Sequence, residues 1–143
     1  MIVDIDFDMT DFRTLRVWEA FHKITLRVYA LTKRFSSDEL YGLTSQMRRS
    51  SALIATNIAE GCGRHTDPDM ARFLNIATES ASELEYQLLL SKDLAYIDQS
   101  NYETIEKDLT TAKKMLNTFI QKIRTRTPLN PKNLTPNPKT PNP

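Results

Sequence analysis

Ser100-Asn-Tyr-Glu-Thr-Ile-Glu-Lys-Asp-Leu-Thr-Thr-Ala-Lys-Lys-Met-Leu-Asn-Thr-Phe-Ile-Gln-Lys-Ile123 is the stretch that decides the fold. Tyr102, Ile105, Leu109, Ala112, Leu116, Phe119 and Ile123 follow one another in alternating steps of three and four. At 3.6 residues per turn these steps lay one unbroken apolar stripe on a helix, the repeat of helices crossing at about +20°. Such a stripe needs apolar partners along its whole length. Ser100 and Glu103 ahead of it form a capping-box pattern, in which each side chain satisfies a backbone N–H of the first turn.

Upstream of this segment, breakers are scarce. Glycine occurs only at positions 42, 61 and 63, and proline before residue 128 only at 68. Long helices follow from that. A first helix is expected over 15–33, with Val17, Phe21, Ile24, Val28 and Leu31 on its apolar stripe. Ser36-Ser-Asp-Glu39 is a second capping box, restarting the chain into a helix over 41–60. That helix is expected to stop at Gly61-Cys-Gly63 through a left-handed glycine cap. Asp67-Pro68 opens the third helix, a capping side chain followed by proline in the first turn. Connections of a few residues turn neighbouring helices antiparallel. The expected fold is all-α, an antiparallel up-down-up-down four-helix bundle over 14–127, preceded by an acidic arm, 1–13.

Beyond the bundle, Pro128-Leu-Asn-Pro-Lys-Asn-Leu-Thr-Pro-Asn-Pro-Lys-Thr-Pro-Asn-Pro143 holds six of the seven prolines. Two leucines cannot offset the entropy of ordering it, so 128–143 reads as a disordered Pro-rich C-terminal tail of polyproline II character. Removing it, with Lys132 and Lys139, leaves 17 basic against 18 acidic side chains of the chain's 19 and 18. No global field therefore recruits nucleic acid. A single thiol, Cys62, excludes a disulfide-stapled scaffold, and no apolar run approaches the roughly 20 residues that span a bilayer. The first eleven residues carry four aspartates and no basic side chain, the reverse of a secretory leader. A cytoplasmic protein without membrane contact is the expectation.

The second helix is unlike the other three. Between Tyr41 and Gly63 only Arg48, Arg49 and Glu60 are charged. At 100° per residue, Leu43, Met47, Ile54 and Ile58 form a core stripe, and Ala52, Ala55 and Ala59 a stripe of small residues. A third stripe is polar: Gln46, Ser50, Asn57, Glu60 and Arg64 lie within about 40° of one line, with Arg49 and Leu53 beside it. A solvated face normally carries Lys and Glu. Few charges on any side mark a helix covered over most of its circumference, whose polar groups need partners because unpaired burial costs several kcal/mol. These groups either fix bundle register through bonds within one chain or line a subunit interface or pore; catalysis is the weakest of the three readings. Arg72, Glu79 and Glu83 share one flank of the third helix, and Glu83 is expected to meet an arginine of the second.

Phe12-Arg13-x-Leu15-x-Val17-Trp18 and Tyr41-Gly42-Leu43-x-x-Gln46-x-Arg48-Arg49-Ser50 resemble the four-helix-bundle proteins of the 23S ribosomal RNA intervening-sequence family. So do Asn57-Ile58-Ala59-Glu60-Gly61-x-Gly63-Arg64, Arg72-Phe73-Leu74-x-Ile76-Ala77 and Ser80-x-x-Glu83-Leu84-Glu85. The resemblance runs over 12–97; the fourth helix matches in character only, and the tail not at all. Two positions depart from the family pattern: Ser36 stands where the family often has proline, and Leu53-Ile54-Ala55 where it commonly has Ser-Ile-Pro. The resemblance implies a small bacterial protein of poorly defined role that assembles as a ring-like homo-oligomer, a pentamer. It is similar in kind to the pentameric accessory proteins of diversity-generating retroelements, which bind reverse transcriptase and nucleic acid. A non-enzymatic homo-oligomeric scaffold or accessory protein is thus the expected function, with Gln46, Arg48, Arg49, Asn57, Glu60, Arg64, Arg72 and Glu83 organising contacts between protomers.

Chemistry elsewhere is thin. Glu19-Ala-Phe-His22 has the E-x-x-H spacing of di-iron bundles, but that site needs a second such pair and two more carboxylates, and His65 has no glutamate three residues before it. Neither metal nor cofactor nor small-molecule substrate is expected. Cys62 follows a helix C-terminus, where the dipole opposes a thiolate. Phosphate-loop, dinucleotide and nucleophile-elbow patterns are missing from the sequence. The alternative function is that of an accessory factor for RNA, DNA or a reverse transcriptase. Its candidate contacts are Arg16, Lys23 and Arg27 on the first helix, with Lys113, Lys114, Lys122, Arg124 and Arg126 on the fourth. Repetition around a ring would multiply such a modest patch.

Overall fold

In a computed structural model the chain is described over residues 11–126, so most of the acidic arm and the whole proline-rich tail lie outside the described residues. Four helices carry the fold: α1 (Arg16–Thr32), α2 (Leu43–Cys62), α3 (Asp67–Asp93) and α4 (Gln99–Arg126). Two short 3-10 turns, Phe12–Thr14 and Ser37–Glu39, precede α1 and α2. Among the described residues there is no strand, and no helix is long and apolar enough to cross a membrane.

Each helix packs on its sequence neighbours, and α4 closes back on α1. The contacts run in opposite order along each pair. Thr25 Oγ1 donates to the Ser51 carbonyl and Arg48 Nε to Thr32 Oγ1, so α1 climbs as α2 descends. Between α2 and α3, Ser91 meets Met47 and Ser50 meets Glu83. Between α3 and α4, Lys113 meets Glu85 and Arg124 meets Asn75. The α4 stripe lies where its period puts it: Ile105, Leu109, Ala112, Leu116, Phe119 and Ile123 are buried, joined by Ile120, while Tyr102 packs against the core from its edge. Facing it are Phe21 and Val28 of α1, Met47 and Ile54 of α2, and Leu84 and Leu88 of α3, all fully buried.

The helix ends depart from the expected caps in four places. Glu39 does not close a box on Ser36; its Oε1 accepts from the Leu43 N–H at the start of α2 and its Oε2 from the Tyr96 hydroxyl. That hydrogen bond, which stabilises the neutral phenol, raises the Tyr96 pKa above its ordinary value. Thr66, one residue before Asp67, caps α3, and Asp98 rather than Ser100 caps α4, accepting from the Asn101 N–H at 2.7 Å. The fourth departure concerns glycine. α2 runs through Gly61 and ends at Gly63, whose φ of −90° is not left-handed.

The left-handed cap sits instead at Ala95, φ 66°, at the end of α3. There the Tyr96 N–H bonds the Ser91 carbonyl and the Ala95 N–H the Lys92 carbonyl, the two bonds of a Schellman motif. An L-residue in this conformation is strained by about 1–2 kcal/mol, of which the greater freedom of an unfolded glycine offsets part. Ala95→Gly is expected to stabilise the bundle by about 0.5–1 kcal/mol, raising the melting temperature by about 3 °C in a thermal scan. A lower melting temperature would show that the cap is not strained.

Candidate functional site

The chemistry that distinguishes this chain gathers along α2 and its seam with α3. Of the buried polar residues, Thr44, Ser50, Ser51 and Asn57 belong to α2, and Ser80, Gln87 and Ser91 to α3. Small side chains let the two helices approach closely. At Gly61 the approach is tight: a Cβ there would lie 3.3 Å from the Met70 carbonyl oxygen and 3.4 Å from Phe73 Cβ.

The eight residues expected to form one network divide into separate groups. Arg48 turns toward α1, donating to Thr32 Oγ1 at 2.9 Å and the Tyr29 carbonyl at 3.5 Å, with its guanidinium 4.7 Å from the Tyr29 ring centroid. Asn57 is buried and donates back to the Leu53 carbonyl of its own helix at 2.8 Å. Glu83 accepts from Ser50 Oγ at 3.2 Å, where an α2 arginine was expected. Ser50 and Glu83 face each other across the seam, whereas Arg48 lies on the opposite flank of α2, and Arg49 points outward. Arg64 and Arg72 both lie over the Phe73 ring, at 5.3 and 4.5 Å, and Arg72 also pairs with Asp69 at 2.9 Å. Gln46, Arg49 and Glu60 are exposed on this chain.

What remains open along the outside of α2 is a face of weak charge. Ser45, Gln46, Arg49, Thr56 and Glu60 are exposed, and Ala52, Leu53, Ala55 and Ala59 half-buried. Ile76 and Phe73 of α3, both half-buried, border it. The open side of α4 differs, with Lys107, Asp108, Lys114 and Gln121 exposed. Residue types in the sequence did not single out Gln87, which is only 6% exposed and whose Oε1 has no hydrogen-bond partner among the described residues. The signal was there in the α3 seam, where Ser80, Gln87 and Ser91 interrupt an otherwise apolar repeat.

The basic residues are largely engaged by the chain itself. Lys23 pairs with Glu19 at 3.6 Å, Arg27 with Asp108 at 3.3 Å, and Lys113 with Glu85 at 2.6 Å. Arg124 donates to Asn75, and Arg126 holds Asp67 through two nitrogens at 2.7 and 2.8 Å. Arg16 is also engaged, while Lys114 is exposed and Lys122 half-buried. Such pairs lower the charge available to phosphate. His22 stacks on Trp18 at 4.8 Å while Glu19 pairs with Lys23, and among the described residues no three metal-ligating side chains converge. Cys62 is buried, and loss of hydration pushes its thiol up to about 11, leaving it a weak nucleophile at neutral pH.

Comparison with known proteins reaches further along the chain than the motifs did. The family description "23S rRNA-intervening sequence protein" matches residues 13–118, taking in most of α4. No curated protein matches. A similar crystal structure is that of a protein with unknown function from the S23 ribosomal protein family of Bacteroides thetaiotaomicron VPI-5482, 30% identical, with a TM-score of 0.68. The similarity covers 73% of this chain and 95% of that one. With fold and motifs in agreement over these residues, the chain belongs to the 23S rRNA-intervening sequence protein family.

Proposed function

We propose that the protein is a non-enzymatic scaffold or accessory subunit that assembles with copies of itself through the open α2–α3 flank, closing into a ring. One observation carries the reading. The outward side of α2 is uncovered in the single chain, yet over 20 residues it offers solvent only Arg49 and Glu60 as exposed charges. Depletion of charge around half-buried apolar residues is the composition of an interface core, with polar groups at its rim. Leu53, Ile76 and Phe73 would form that core, and Gln46, Glu60 and Arg64 its rim. The preformed Ser50–Glu83 and Asn57–Leu53 bonds hold the flank in shape before a partner arrives.

Three placements support the non-enzymatic reading: the one thiol is buried, Glu19 pairs with Lys23, and His22 stacks on Trp18. The test is the native mass. Light scattering or native mass spectrometry at micromolar concentration is expected to give a multiple of the 16.5 kDa chain. A mass of one chain, unchanged up to 100 μM, removes the proposal.

A further inference from the structure

A ring of three or more copies repeats one contact between two different patches of the chain, whereas a two-fold contact uses a single patch twice. The α2–α3 flank offers one patch; a ring needs a second that complements it. Among the described residues, the exposed large apolar side chains fall into two groups. Leu26, Tyr29, Leu40 and Tyr41, the last 93% exposed, lie on α1 and the turn into α2. Tyr86, 60% exposed, and Leu89 lie on the outer edge of α3, and Leu94 just past its end.

Charge divides the same way. Beside the first group, Arg48 and Arg49 line a shallow depression with Tyr29, Tyr41 and Ser45. Arg48 meets neutral acceptors there, and Arg49 has no partner among the described residues. Beside the second group, Glu79 and Glu83 are exposed one turn apart, and Glu83 accepts from the Ser50 hydroxyl rather than from a cation. The α1–α4 side offers less, because Lys23 and Arg27 there already pair with Glu19 and Asp108.

The two groups also stand at matching heights. The contacts of Ser91 with Met47 and of Ser50 with Glu83 set the register of α2 against α3. At about 1.5 Å per residue in both helices, Arg49 then lies level with Tyr86, and Ser45 with Leu89. Tyr41 and Leu94 share one end of the bundle, where Glu39 accepts from the Tyr96 hydroxyl. Rotation about an axis along the bundle leaves height unchanged. A neighbouring copy in a ring therefore presents Glu83 and Tyr86 at the level where this copy presents Tyr29, Arg48 and Arg49.

We propose that copies join head to tail, the α3 edge at Glu83, Tyr86 and Leu89 of one seating on the α1–α2 face at Tyr29, Tyr41, Arg48 and Arg49 of the next, with Glu83 answering Arg49. This contact rests on the self-assembly proposed above, to which it adds a second surface and a direction. Both flanks of α2 are then covered, which matches the scarcity of charge around that helix.

Oxidation of a full chain carrying both Ser45→Cys and Leu89→Cys tests the direction. A head-to-tail contact is expected to link chain after chain, giving species of three or more on a denaturing gel, while either single variant stays at one chain. Cys62, buried, competes slowly. Links that stop at two chains would mean a two-fold contact and overturn the proposal. So would the absence of links in a protein whose native mass is a multiple, a result that leaves self-assembly standing; a native mass of one chain removes both. Charge reversal gives a second readout. Arg49→Glu and Glu83→Arg are each expected to weaken association about ten-fold or more with helical content kept, and both reversals in one chain to recover it to within about three-fold. Parent-like association of either single variant, or no recovery in the double, would place the two residues on unrelated surfaces and overturn the contact.

Discussion

Replacing Gly61 by valine is expected to destabilise the bundle by about 3 kcal/mol, at the upper end of what overpacking costs. The reason is the approach of α3 at that point. The first added carbon already meets the Met70 carbonyl oxygen at 3.3 Å, Phe73 Cβ at 3.4 Å and Leu74 Cδ2 at 3.7 Å. A carbonyl within a helix cannot turn aside, so two further methyl groups must push the first turns of α3 away. Alanine isolates the effect. It adds that first carbon alone and gains about 1 kcal/mol of helix propensity over glycine, which should roughly cancel the crowding. Thermal unfolding is expected to show Gly61→Ala near the parent and Gly61→Val lower by about 9 °C. Equal melting temperatures for parent and valine variant would mean that α3 yields freely.

That glycine shows what the sequence could and could not convey. Its position at the end of a helical run reads as a stop signal, since glycine most often serves helices by adopting a left-handed cap. The same residue type also serves close packing, and one sequence does not distinguish the two uses. Here Gly61 continues the helix against Met70, while the left-handed cap falls to Ala95, which nothing in the local sequence marks. The α4 stripe was legible because seven apolar positions in register repeat one instruction. The α2 polar stripe was legible as a stripe but not as a network. Helical periodicity places Arg48 and Ser50 on opposite flanks, but which acceptor each finds depends on Thr32 and Glu83, far along the chain. The basic residues of α1 and α4 show the same limit. Counted by segment they make a patch; folded, Lys23, Arg27, Lys113 and Arg126 are answered by Glu19, Asp108, Glu85 and Asp67 in turn.

For the proposed assembly, the largest expected effect belongs to Leu53→Asp. Leu53 sits between Arg49 and Asn57 at the edge of the α2–α3 seam, half-buried in the single chain, with its carbonyl held by Asn57. In one subunit an aspartate there keeps its water, so folding should lose no more than about 1–2 kcal/mol. At an interface core the same carboxylate would be enclosed without a partner, at a cost of several kcal/mol per contact. Even 3 kcal/mol weakens association by more than about 100-fold, and each closing contact of a ring would carry that cost. The expected result is a native mass falling to the 16.5 kDa of one chain while helical content stays at the parent level. Lys107→Asp, on the exposed side of α4, is the control and is expected to keep the assembled mass. If Leu53→Asp stays assembled with its helices intact, the α2–α3 flank is not where copies meet. If it loses helicity together with mass, the substitution has damaged the bundle, and Gln46→Glu at the exposed rim becomes the decisive variant, because it adds charge without disturbing a buried side chain.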